Sequence, residues 1–131
     1  MTRFAAPIAE QIWDMKYRLK AEDGSPIDGT VEDSWRRIAR ALAAVEKDPA
    51  AWEDRFYAAL EDFRYLPAGR ITAGAGTGRA VTLFNCFVMG TIPDSMAGIF
   101  DALKEAALTM QQGGGIGYDF STIRPRGAPV A

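Results

Sequence analysis

The 131-residue chain has a single thiol, Cys86, in the run Phe84-Asn85-Cys86-Phe87-Val88. A thiolate is a nucleophile, a metal ligand and one half of a disulfide. Chemistry that needs two thiols must find the second one elsewhere, because the chain holds only this Cys. Nor is there a His. That excludes a Ser-His-Asp triad, an imidazole base and His-ligated zinc. A free Cys between large apolar residues is most often a small buried hydrophobe. Its neighbour Asn85 is more telling, since Asn is disfavoured in strands and needs hydrogen-bond partners when buried. A buried strand carrying Asn-Cys predicts a lined cavity.

Two further stretches carry chemical potential. Gly113-Gly114-Gly115-Ile116-Gly117 has four Gly in five residues. One Gly suffices to stop a helix. The excess predicts a close approach to the backbone, or N–H groups set to bind an anion. It is not a P-loop, for no Lys-Ser/Thr follows. It is not a dinucleotide fingerprint either, since it follows a helix pattern instead of opening one. Asp119 to Gly127 is a polar loop holding Arg124 and Arg126. It reads as a solvated turn or as a phosphate site, because Arg grips phosphate bidentately. Gly69 to Arg79 reads as a loop in which Arg70 and Arg79 are weaker candidates for the same chemistry.

Elements must position these residues, and the two halves differ. Residues 1–65 hold 23 of the 32 charged side chains and two glycines; residues 66–131 hold nine charges and eleven glycines. The first half predicts amphipathic helices, the second buried backbone with tight turns. Helix one has Pro7 in its first turn and the stripe Ile8, Ile12, Met15, Leu19. Glu22 to Pro26 is a turn. Thr30, with Asp33 three residues on, caps helix two. Its stripe is Trp35, Ile38, Leu42, Val45, with Arg36, Arg37 and Arg40 facing elsewhere. Asp48-Pro49 starts helix three, with Trp52, Phe56, Leu60 and Phe63 inward and Leu66-Pro67 as its end. Ala80 to Met89 predicts a buried strand. Asp94 or Ser95 caps a helix to Gln112, with the stripe Met96, Ile99, Phe100, Leu103, Ala107, Met110, and Gly113 stops it. Ile116 to Phe120 is a short strand. Strand, helix, strand is the grammar of a parallel βαβ unit, and two strands stand poorly alone.

Composition bounds the rest. Fifteen basic against 17 acidic side chains give a net charge of −2, a poor match to nucleic acid. A 48% hydrophobic content supports a real core. No stretch approaches the roughly 20 apolar residues of a membrane helix, and no signal peptide is seen. A lone free Cys suits a reducing compartment, so the expected location is cytoplasmic, without membrane or nucleic-acid partners.

Taken in order, Asn85-Cys86-Phe87-Val88, Ile92-Pro93-Asp94-Ser95-Met96, Gly113 to Gly117 and Ser121-Thr122-Ile123-Arg124-Pro125-Arg126-Gly127-Ala128-Pro129 resemble the catalytic subunit of ribonucleotide reductases. The nearest likeness is to the adenosylcobalamin-dependent class. Ile12 to Arg18 and Asp33 to Ala39 look like that class's helical region. The resemblance covers nearly the whole chain.

It implies a mainly α chain with a small α/β part. Residues 1–78 would be an all-helical domain. Residues 79–131 would be the first strand-helix-strand unit of a ten-stranded α/β barrel, left incomplete. It implies reduction of ribonucleotides to deoxyribonucleotides by thiyl-radical chemistry. Cys86 matches the first-strand member of the redox cysteine pair, and Asn85 a position lining the substrate pocket. Gly114 and Gly115 match the backbone that approaches ribose and phosphate. Asp94 matches the start of the segment that binds a deoxynucleoside triphosphate effector, on a helix that resembles part of the dimer bundle. Arg124 matches an arginine near the effector phosphates. The radical cysteine and its redox partners lie beyond the equivalent of Ala131. The expectation is therefore an N-terminal piece that is inactive alone and binds no cofactor tightly, while the complete enzyme uses adenosylcobalamin. Expected partners are a ribonucleotide, the effector, a thiol reductant system, and a second copy or a complementary C-terminal chain. The alternatives are a non-catalytic effector-binding or dimerisation module, or one half of a split reductase.

Overall fold

The computed structural model describes residues 3–129. The outermost two residues of the chain at each end, included in the expected ranges 1–78 and 79–131, lie outside the described residues. The chain divides between Arg79 and Ala80 into two compact units.

The first unit is helical: α1 (Pro7–Lys16), α2 (Val31–Ala43), α3 (Pro49–Leu60), a 3-10 turn (Glu61–Phe63) and α4 (Gly69–Gly74). Local signals set the starts. Pro7 occupies the first turn of α1. Thr30 and Asp33 form a reciprocal capping box on α2. The Asp48 carboxylate accepts the Ala51 N–H on α3 at 3.2 Å. The core sits on α2, whose Val31, Ser34, Trp35, Ile38, Ala39 and Ala43 are buried. Trp35 meets Tyr57 and Phe63 edge-on, with ring centroids 6.5 and 5.1 Å away.

Several expected positions differ. α1 ends at Lys16, before Leu19, and its buried residue is Trp13. Ile8, Ile12 and Met15 are exposed; Ile8 and Ile12 line an open apolar cavity of about 670 Å³ instead of a closed core. Val45 lies past the end of α2 and is 89% exposed. Arg37 does not face solvent. Its guanidinium turns inward onto Asp28, at 3.0 Å, because that buried carboxylate needs a counter-charge. α3 stops at Leu60, short of Leu66-Pro67, and Trp52 and Phe56 are half-buried. Asp62 and Phe63 take left-handed backbone angles there, which swings Phe63 back onto Trp35 and Phe4. Gly69–Gly74, expected as a loop, winds into α4; Arg37 donates to the carbonyls of Thr72 and Ala75 at its end.

The second unit is β1 (Cys86–Thr91), α5 (Met96–Gln111) and β2 (Gly115–Asp119). The strands are parallel, pairing Cys86 with Gly115, Phe87 with Ile116 and Val88 with Gly117. An irregularity follows before Thr91 pairs with Asp119. The expected βαβ unit is therefore present, and the fold class is mainly α with a small α/β part. The first strand is shorter than Ala80 to Met89 and is not buried: Val88 is 93% exposed. On α5 the stripe Met96, Ile99, Phe100, Leu103 and Met110 is exposed, and Ala106 is the buried residue. A two-stranded sheet with one helix has too few layers to cover both faces. Ser95, not Asp94, caps α5, its hydroxyl accepting the Gly98 N–H at 3.1 Å.

Candidate functional site

Cys86 is the first residue of β1, and its thiol is free and exposed. The expected buried cavity is therefore absent around Asn85 and Cys86, since both residues are exposed. Parallel register sets the pair against the glycine run. The Gly115 N–H donates to the Asn85 carbonyl at 2.8 Å. A Cβ at Gly115 would lie 3.4 Å from the Cys86 sulfur and 3.3 Å from the Asn85 oxygen. At Gly114 a Cβ would sit 2.7 Å from the Phe87 ring, closer than any real methyl stands. The excess of glycine thus has a physical cause: β1 itself makes the close approach.

The other reading of that run, an anion cradle, does not survive. The Gly113 N–H donates to Met110 and the Gly114 N–H to Thr109, at 2.9 and 3.1 Å. With the Gly115 N–H on Asn85, three successive amides are spent inside the chain. What remains around the sulfur is an exposed thiol and a shelf of bare backbone. This arrangement can admit a flat polar molecule to the thiol without a side chain in the way.

The other two candidate residues meet in a second cluster. Arg124 donates from Nε to the Asp94 carboxylate at 2.7 Å and from Nη2 to the Asp94 carbonyl at 3.2 Å. Its Nη1 reaches the Pro129 carbonyl at 2.7 Å. Beside it the Thr122 hydroxyl donates to the Ile92 carbonyl, and the Ile92 N–H to the Asp119 carbonyl at 3.3 Å. Sequence reasoning named Asp94 and Arg124 separately and missed both their pairing and Thr122; no local signal links residues 30 apart. Arg79, a weaker phosphate candidate, donates instead to the Lys20 carbonyl at 3.3 Å. Among the described residues no three His, Cys, Asp or Glu gather as a metal-ligand group. Among the described residues no helix is long and apolar enough to cross a membrane.

An all-helical unit, followed by a parallel βαβ unit with a thiol heading its first strand, defines a mainly α protein with a small thiol-bearing α/β part. Comparison with known families is specific. Residues 3–80 match the ribonucleotide reductase all-alpha domain, and residues 84–131 match the ribonucleotide reductase barrel domain. The chain belongs to the ribonucleotide reductase family. It is 37% identical over 115 residues to the ribonucleoside-diphosphate reductase subunit alpha of Helicobacter pylori, covering 88% of this chain and 14% of that protein. It is 38% identical over 121 residues to the vitamin B12-dependent ribonucleoside-diphosphate reductase of Mycobacterium tuberculosis, covering 88% of this chain and 17% of that protein. A subunit alpha from Chlamydia muridarum is 34% identical over 109 residues, covering 83% of this chain and 10% of its own length. The chain thus spans about one-sixth or less of these relatives. The resemblance read from the motifs is borne out at the level of the family.

Proposed function

We propose that this chain supplies the helical domain (1–78) and the opening of the catalytic barrel (79–131) to the reduction of ribonucleotides to deoxyribonucleotides. The observation that carries the reading is the contact of Cys86 with bare Gly115, an exposed thiol beside backbone with no side chain. In this role Cys86 is one of two redox thiols. Oxidising two thiols to a disulfide releases two electrons and two protons. Replacing the ribose 2′-hydroxyl by hydrogen consumes them, and the hydroxyl leaves as water. Asn85 and the backbone of Gly114 and Gly115 would line the ribose.

One Cys cannot be both members of that pair. The chain alone is therefore inactive in this reading, and the second thiol and the radical thiol come from elsewhere. Adenosylcobalamin enters through the relatives named vitamin B12-dependent. The groups around Cys86 are a thiol, an amide and glycines whose N–H groups are already engaged, and they offer no surface suited to a corrin. No residue of this chain is assigned to the cofactor and no step is routed through it.

The test is an assay of the purified chain with adenosylcobalamin, dithiothreitol and ribonucleoside di- or triphosphate. No deoxyribonucleotide is expected. With a polypeptide supplying the remaining barrel, turnover is expected for the native chain and not for Cys86→Ser. Turnover by the chain alone, or by the Ser variant in the complex, would overturn the proposal.

A second reading rests on the Asp94–Arg124 pair. These residues would form part of a site for a deoxynucleoside triphosphate effector, on a helix that joins two copies. Such a ligand, binding only the folded state, raises the melting temperature.

A further inference from the structure

The effector reading treats Arg124 as a guanidinium waiting for phosphate. The structure gives it other work. All three guanidinium nitrogens are engaged: two on Asp94 and one on Pro129. The Asp94 carboxylate is likewise held by Arg124, at 2.7 Å. Three of the five guanidinium N–H groups are used, and the paired Nε–Nη2 edge is the one that Asp94 holds, so an oxyanion that seeks that edge must displace Asp94. The bonds also cross between two loops. They tie the turn between β1 and α5 to the segment following β2, in parallel with the Thr122–Ile92 and Ile92–Asp119 bonds.

We propose that Asp94 and Arg124 form a latch. The ion pair holds the 92–95 turn against the 119–129 segment while no polyphosphate is bound, and a polyphosphate that takes the Nε–Nη2 edge of Arg124 releases the Asp94 carboxylate. The proposal rests on the effector reading of these two residues and adds to it a closed state. The chemistry is simple exchange of one oxyanion for another on a guanidinium. A phosphate has the charge and the paired oxygens to replace a carboxylate there. Both partners are about one-third exposed, so the internal bond is weak enough to be displaced. The closed state lowers apparent affinity by the fraction of molecules that are latched. Release of Asp94 then follows binding without any contact between it and the phosphate.

The test uses the whole chain with inorganic tripolyphosphate as the probe. Two NMR signals are followed, the Arg124 Nε–H resonance and the Asp94 carboxyl carbon. Both are expected to move with one midpoint, the Asp94 carbon toward the value of an unpaired carboxylate. In Asp94→Asn the Arg124 signal is expected to move at about two- to fivefold lower probe concentration, the range set by a weak exposed pair. Asp101→Asn, an equal change of charge on the exposed side of α5, controls for simple electrostatics and is expected to shift the midpoint less. If the Arg124 signal moves while Asp94 stays, or if Asp94→Asn and Asp101→Asn shift the midpoint equally, the latch is wrong and the effector reading stands. If the Arg124 signal moves neither in the native chain nor in Asp94→Asn, Arg124 takes no phosphate, and both fall.

Discussion

The Arg37 guanidinium and the Asp28 carboxylate meet at 3.0 Å in the helical unit, where both are nearly buried. The carboxylate also accepts the Ser34 hydroxyl at 2.7 Å and the Leu19 N–H at 3.1 Å. Ser34 in turn accepts the Trp13 indole N–H at 3.1 Å. The guanidinium reaches on to the carbonyls of Tyr17, Thr72 and Ala75. One ion pair therefore ties the end of α1, the turn before α2, α2 itself and the end of α4. Every polar atom in the group has a partner, which is the condition for a buried charge to be tolerated.

Arg37→Ala leaves the Asp28 carboxylate buried without its counter-charge. The expected loss is about 3–5 kcal/mol of stability in the helical unit. Urea denaturation followed by far-ultraviolet circular dichroism measures it. A loss below about 1 kcal/mol, the range of an exposed pair, would show that the network does not hold the unit together.

Asp28 also sets an acid limit. Burial pushes its carboxyl up, but the hydrogen bonds from Arg37, Ser34 and the Leu19 N–H, with the Arg37 charge, outweigh burial and hold it below the usual range. A carboxyl lowered in the folded state adds stability above its unfolded value, about 3.9, and loses it as pH falls through the lower folded value. The melting temperature should therefore fall below about pH 4 by this group's contribution. In Asp28→Asn the acid limb should be flatter, on a lower plateau. Parallel acid limbs in the two proteins would remove Asp28 from the account.

Gly114→Ala places a methyl against the Phe87 ring, within 2.7 Å, and 3.1 Å from Thr109. The ring must turn or β2 must shift, at about 1–3 kcal/mol. Gly117→Ala, with nothing within 4 Å of its Cβ, is the matched control and should cost well under that. Hydrogen exchange of the β1 and β2 amides in the two variants separates them. Equal protection would mean that the approach of Phe87 to Gly114 is not fixed.

The Cys86 thiol should react in the folded chain. Exposure predicts complete modification by iodoacetamide without denaturant, at a rate within about tenfold of a free thiol at the same pH. Gly115→Val, which crowds the sulfur, should slow it. A native thiol that reacts only after unfolding would contradict the site as described.

Legibility in the sequence followed the range of the interaction. The Thr30–Asp33 box, the Asp48-Pro49 start and the Gly113 stop are written within a few residues, and each is found where the pattern puts it. The parallel strands were legible from the order of patterns alone. Residues Asn85, Cys86, Gly114 and Gly115 could be named, but their contact depends on register, which no residue encodes locally. Arg37 read as a solvent-facing charge because the buried carboxylate that turns it inward is reached through a turn of the chain. The stripes on α1 and α5 misled for another reason. An apolar pattern says that a face can be covered and does not say that anything in these residues covers it. The left-handed Asp62 and Phe63 carried no signal at all, since neither residue type requires that conformation.

The placement of Cys86 has one more consequence. Trp13, Trp35 and Trp52 all lie in the helical unit, while the one sulfhydryl lies in the other. Indole fluorescence therefore reports on residues 3–79, and a fluorophore coupled to the sulfur reports on residues 80–129. Recorded together in one denaturation, the two colours would tell whether the halves melt as one body or as two.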